Sequence, residues 1–370
     1  MAAVSRRLPD FPWDTLAAAK ARAAAHEGGL VDLSIGTPVD PVPQVAREAL
    51  AAAGDAHGYP TVAGPEAVRA QIADWVTRAS GAVAGTITPE HVLMTIGSKE
   101  LIGNLPAQLG LGPGDLVVYP ELAYPTYEVG ARYAGCEVLA ADSMLAVGPR
   151  RPALLYLNSP ANPSGRILGV DHVRKVVDWA RERGAMVVSD ECYLDFAWEA
   201  PAVSILHPDV CGGDPTGLLA VYSASKRSNL AGYRGAFLAG DRAVVAELLA
   251  VRKHLGFMVP APVQQALAAT LADEAHVAEQ RERYAARRAR LRDALEAAGF
   301  RIDHSEGSLY LWATRDEPCR VTVDWLAERG ILAAPGEFYG PAGARHVRVA
   351  FTATDERIDA AAARLARDAS

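Results

Sequence analysis

The stretch Val221-Tyr222-Ser223-Ala224-Ser225-Lys226-Arg227-Ser228-Asn229-Leu230-Ala231-Gly232-Tyr233-Arg234-Gly235 decides how the chain is read. Residues 218–222 form an apolar run of strand length that delivers Ser223, Ser225 and Lys226 to its carboxyl end, with Arg234 following. A lysine at the mouth of a parallel sheet is desolvated and feels the Arg234 charge. Both effects favour the neutral amine that Schiff-base chemistry requires. The competing reading is a surface turn after a core strand, with Lys226 and Arg227 simply solvated. The rest of the chain has to separate the two.

Outward from that stretch the pattern is strand, helix, strand. Strand-like runs at 92–96, 116–119, 137–140, 153–157, 185–189 and 235–239 alternate with glycine turns and with helical segments such as 101–109 and 170–183. This spacing predicts an α/β fold with a mostly parallel sheet flanked by helices. Residues 242–256 and 262–298 read as two long helices. Strands at 300–314, 331–335 and 347–352 with helices at 321–329 and 355–367 then predict a smaller α+β domain. The expected organisation is an N-terminal arm joined to the small domain over 1–42, a large domain over 43–260 and the small domain over 261–370.

Composition excludes several classes. The 370 residues carry a formal charge of −7, which gives no reason to expect nucleic acid or an anionic membrane as partner. Four cysteines lie far apart with no C-x-x-C, so neither a zinc site nor a disulfide framework is suggested, and no metal is expected. No signal-peptide core and no apolar run of membrane length is present, so a cytoplasmic setting is expected.

In a parallel sheet the ligand crevice lies beyond the carboxyl ends of the strands, where this sequence keeps its polar residues. Gly97-Ser98-Lys99-Glu100 opens a helix, so Ser98, Lys99 and the free N–H groups could hold a phosphate; an ordinary Ser98 cap is the alternative. Tyr124 could stack on a flat ring or cover the core. Pro160 and Pro163 stiffen the turn that presents Asn162. Asp190 follows an apolar strand directly, and a buried carboxylate needs a positive partner, such as a protonated ring nitrogen. One ligand uses all these groups, pyridoxal 5′-phosphate (PLP). Lys226 would form the imine and Asp190 would keep the ring nitrogen protonated. Asn162 and Tyr193 would bond the phenolic oxygen, while Ser98, Ser223 or Ser225 and Arg234 would hold the phosphate.

The order Asn158-x-x-x-Asn162-Pro163-Ser164-Gly165, then Asp190-x-x-Tyr193, then Ser223-x-Ser225-Lys226 with Gly232-x-Arg234-Gly235, resembles the class I/II aminotransferases of PLP fold type I over essentially the whole chain. The resemblance implies that Lys226, Asp190 and Tyr193 are catalytic and that Tyr124 stacks on the cofactor ring. It implies that Gly36, Asn162 and Arg348 meet the substrate carboxylate, and that Tyr59 reaches the phosphate of a neighbouring subunit's cofactor in a homodimer with shared sites. Within the family, the run from Ser225 to Arg234 with Gly97-Ser98-Lys99-Glu100 is most similar to succinyldiaminopimelate aminotransferases. That likeness implies N-succinyl-LL-2,6-diaminopimelate and 2-oxoglutarate as substrates, in lysine biosynthesis. Both carry a distal carboxylate, for which Arg22, Lys99, Arg252 and Lys253 are the candidate cations. Other aminotransferase specificities (LL-diaminopimelate, aspartate, aromatic, kynurenine) and a PLP β-lyase share the same cofactor groups. An aminotransferase-like ligand sensor would need a DNA-binding module for which residues 1–30 are too short.

Overall fold

The computed structural model describes residues 8–366; residues 1–7 of the expected arm and Arg367, the expected end of the last helix, lie outside them. An N-terminal strand, β1 (Val31–Asp32), precedes the main sheet. That sheet contains β2 (Val92–Ile96), β3 (Leu116–Tyr119), β4 (Glu137–Ala140), β5 (Leu154–Asn158), β6 (Met186–Asp190), β7 (Leu218–Ser223) and β8 (Gly235–Gly240). Its order is β2-β8-β7-β6-β5-β3-β4, and β8 alone runs against the others.

β5, β7 and β8 are buried at every residue because helices cover both faces, which is why they read as unbroken apolar runs. Val173 and Val177 of the helix Val170–Arg183 and Ile72 and Val76 of Glu66–Ser80 pack on one face. Leu101 and Leu105 of Ser98–Gln108 and Leu248 of Arg242–Leu255 pack on the other. No helix among the described residues is long and apolar enough to cross a membrane.

The second unit holds β9 (Arg301–Asp303), β10 (Tyr310–Thr314), β11 (Ile331–Leu332), β12 (Ala334–Pro335) and β13 (Val347–Ala350). Four of these form an antiparallel sheet, β12-β13-β10-β9, while β11 pairs in parallel with β1. Val31 and Leu33 therefore share a core with Trp312 and Val349.

Three expectations are corrected. The helix expected over 262–298 breaks into Ala261–Ala272 and Ala275–Ala297, because Asp273 turns extended and its Oδ1 accepts from Ala275 N at 2.9 Å. Ala266, Leu267 and Leu271 of the first piece pack into the core of the large sheet. The strand expected over 300–314 is two strands, parted by His304, Ser305 and Ser308 at φ of 53°, 72° and 64°, left-handed values that end a strand. The strand expected over 331–335 is also two, because β11 pairs with β1 and β12 with β13.

Candidate active site

The carboxyl edge of the large sheet and the second unit enclose a cavity of about 380 Å³. β2 ends at Ile96, opposite Gly235 of β8, and this register sets Gly97 beside Arg234. A side chain at Gly97 would run into the Arg234 guanidinium, and its φ of 80° also favours glycine. The helix Ser98–Gln108 therefore starts with no side-chain cap, and its first N–H groups are available to an anion. Arg234 reaches this edge only because β8 is antiparallel, so that its beginning, not its end, lies there. From β7 come Ser223 and Ser225, both lining the cavity, with Ser223 Oγ accepting from Ser225 N at 3.2 Å. Lys226 follows, and its Nζ donates to Gly36 O.

Asp190, the last residue of β6, is 6% exposed. Its Oδ2 accepts from Tyr127 Oη at 2.8 Å and its Oδ1 from Cys192 N at 3.2 Å. No cationic side chain pairs with it among the described residues, so burial raises its pKa even though those hydrogen bonds pull the other way. Burial and this same carboxylate push the Cys192 thiol well up, which leaves it a neutral wall of the cavity.

Asn162 is held by its own backbone, whose N–H donates to Asn158 Oδ1 at 2.7 Å. Asn158 in turn donates to Asp190 O at 2.9 Å, tying two strand ends together. Arg348 arrives from β13, only 4% exposed. It donates from Nη1 to Asn162 Oδ1 and from Nη2 to Ser34 O, each at 2.7 Å, while Nε has no partner among the described residues. Its guanidinium lies over the Tyr310 ring at 3.9 Å. Tyr310 Oη and Tyr193 Oη share a hydrogen bond of 2.8 Å. Burial pushes Tyr310 up, but the Arg348 and Lys226 charges bring it below its ordinary value. Burial and then Tyr310 hold Tyr193 well above. A side chain at Gly36 would strike the Tyr310 ring, so that backbone can pass the cavity only as glycine.

Tyr124 lines the cavity with its ring edge-on to Tyr127, and burial pushes its phenol up to about 12. Lys99 also lines it, its Nζ 5.6 Å from the Phe11 ring centroid, and forms no ion pair among the described residues. The other candidates for a distal carboxylate lie elsewhere. Arg22 pairs with Asp324 at 2.8 Å on the surface, Arg252 is closed on Glu100, and Lys253 is not part of the lining. Tyr59 is 96% exposed and outside the cavity. Sequence reasoning missed Tyr310, Tyr127, Phe11 and Trp13. Tyr127 could have been found, since it follows Tyr124 by three residues at the start of the helix Thr126–Ala134; the others come from remote segments with no local signal.

The family model for class I and II aminotransferases matches residues 29–365. This chain belongs to that family. The aminotransferase is similar to a probable aminotransferase of Mycobacterium tuberculosis, 64% identical over 362 residues, 98% of this chain and 86% of that protein. It is 57% identical over 360 residues to the 4-dedimethylamino-4-oxo-anhydrotetracycline transaminase of Streptomyces rimosus, covering 97% of this chain and 99% of the other. Among solved structures, a probable N-succinyldiaminopimelate aminotransferase from Thermus thermophilus superposes with a TM-score of 0.86 at 28% identity, over 97% of this chain and 100% of that one.

The family depends on PLP, and the cavity fits that group. Its donor set combines an uncapped helix start and an arginine for a dianion, a lysine for an aldehyde, and a buried carboxylate without a cation. In the free fold that carboxylate is an expensive feature, which a protonated ring nitrogen would relieve.

Proposed function

We propose that this aminotransferase moves an amino group between an amino acid with a distal carboxylate and 2-oxoglutarate, with N-succinyl-LL-2,6-diaminopimelate as the amino donor. The observation that carries this reading is the pair of cations around one cavity. Among the described residues Arg348 has no carboxylate partner at its guanidinium, and Lys99 has none at its ammonium. A substrate with an α-carboxylate and a second anion further out would meet both.

In this reading Ser98, Ser223, Ser225 and Arg234 would hold the cofactor phosphate, Asn162 and Tyr193 would bond its phenolic oxygen, and Tyr124 would stack on its ring. When bound, PLP supplies an electron sink that withdraws the pair left at the substrate α-carbon. The chain's own residues do the rest. Arg348 grips the α-carboxylate with its planar fork, and its stacking on Tyr310 fixes the angle of approach. Asp190, supported by Tyr127, would accept a hydrogen bond from a protonated ring nitrogen. Lys226 Nζ, released from its hydrogen bond to Gly36 O, would act as the general base that takes the proton from the substrate α-carbon and later gives it back. The 96% exposed ring of Tyr59 supports a homodimer in which it reaches the site of a second copy.

A second reading is favoured by the Streptomyces rimosus relative and by the aromatic wall of Phe11, Trp13, Tyr124 and Tyr310, a carbonyl on a fused-ring acceptor. A panel assay with glutamate and 2-oxoglutarate against succinyldiaminopimelate, LL-diaminopimelate, aspartate, kynurenine and a tetracyclic ketone tests both. Lys99→Ala should raise KM for dicarboxylic substrates about tenfold and leave monocarboxylic amino acids unchanged. Turnover of the tetracyclic ketone alone would replace the first reading with the second.

A further inference from the structure

Behind the cavity, Arg252 of the helix Arg242–Leu255 is 0% exposed. Its Nη1 donates to Glu100 Oε1 at 3.0 Å and its Nη2 to Glu100 Oε2 at 2.9 Å, a two-pronged ion pair, and Nη1 also donates to Gln108 Oε1 at 3.2 Å. Glu100 Oε2 accepts a further bond from Ile96 N at 3.2 Å. The carboxylate thus reaches back across Gly97 and Ser98 to the last residue of β2, bracketing the turn that starts the helix Ser98–Gln108. An N-terminal cap would ordinarily fix that turn, but its cap position is Gly97, which has no side chain to do so.

We propose that Glu100 and Arg252 are positioning residues for the cofactor phosphate. Glu100 holds the Gly97–Ser98 turn in the shape that aims its N–H groups into the cavity, and Arg252 holds Glu100. Arg252 has a second effect. An unpaired carboxylate in the first helical turn would repel a phosphate dianion placed there, and the guanidinium cancels that charge. A buried ion pair is a poor source of stability compared with apolar packing, so its presence here is better explained by the geometry it imposes. The inference rests on the reading that Ser98 and Arg234 bind the phosphate.

The test is equilibrium titration of the apoprotein, followed by absorbance, with PLP and with pyridoxal, which lacks the phosphate. Arg252→Met, and the double variant Glu100→Leu/Arg252→Met, which removes the acceptor of the Ile96 N–H without leaving a bare buried cation, should each weaken PLP binding at least about tenfold while changing pyridoxal binding less than about twofold, since small misplacements of a binding group have effects of that order. Equal losses for both ligands, or no loss for PLP, would overturn the proposal and make the pair an ordinary core element. Ser98→Ala and Arg234→Ala serve as controls. If neither separates PLP from pyridoxal, the phosphate reading fails, and the positioning role falls with it. Should Arg252→Met not fold, the double variant, which buries no unpaired charge, carries the decision.

Discussion

Arg252 and Arg348 are both buried arginines near the same cavity, and they differ in what completes them. Arg252 closes both prongs on a carboxylate of its own chain. Arg348 finds only an amide oxygen and a backbone carbonyl, keeps Nε unpaired and leans on tyrosine rings. The adjacent acids Asp190 and Glu191 differ in what they face. Neither meets a cation among the described residues, but Glu191 Oε1 accepts from Ile205 N at 2.7 Å within the core, whereas Asp190 lines the cavity. The lesson is that burial does not mark function, and neither does a missing counter-charge alone. A buried ionisable group that lacks its counter-charge and also faces a cavity does, because a ligand can complete it there.

The largest way to break this comparison is Asp190→Asn. Turnover should fall by more than about 10³-fold, the scale on which preorganised charge acts, while the melting temperature of the apoprotein stays level or rises. A drop in apoprotein stability with turnover intact would mean that Asp190 serves the fold. Next in size, Arg348→Lys should lower kcat/KM by about 10²-fold for every amino-acid substrate alike, because the forked contact serves the common α-carboxylate. Loss confined to one substrate in steady-state kinetics would remove Arg348 from that role. A third test, on stability rather than turnover, concerns Glu191, which burial pushes up from 4.5 to about 7. The folded protein keeps a proton there that the unfolded chain has released, so this group's contribution to stability is full below pH 4.5 and is lost as pH rises to about 7. Denaturant titrations of apoprotein should show Glu191→Gln removing about 3 kcal/mol of that decline. A variant with the same pH profile as the wild type would place the proton elsewhere.

Much of the site was legible because its groups sit at strand ends, where a short apolar run followed by Asn162, Asp190 or Lys226 is a local signal. Which of the candidate cations lines the cavity was not legible. Lys99, Arg22, Arg252 and Lys253 look alike as residues, and only packing sends one to the cavity, one to Asp324 and one to Glu100. Tyr310 was invisible for a similar reason, since it meets Tyr193 across 117 positions of sequence. The helix break at Asp273 was hidden by a continuous helical pattern that one side-chain cap interrupts.

By itself the sequence determined the alternation of strands and helices, the polar groups at their ends and the family they resemble, because hydrophobic period and turn chemistry act within a few residues. The tertiary structure decided which ends converge. The reversed β8 brings the start of its strand, and with it Arg234, to the edge where the other strands end. The pairing of β1 with β11 and the seat of Ser34 on Arg348 bring the second unit over the cavity. Those arrangements depend on contacts between segments hundreds of residues apart, and no local pattern records whether a buried charge will meet its partner or be left for a ligand.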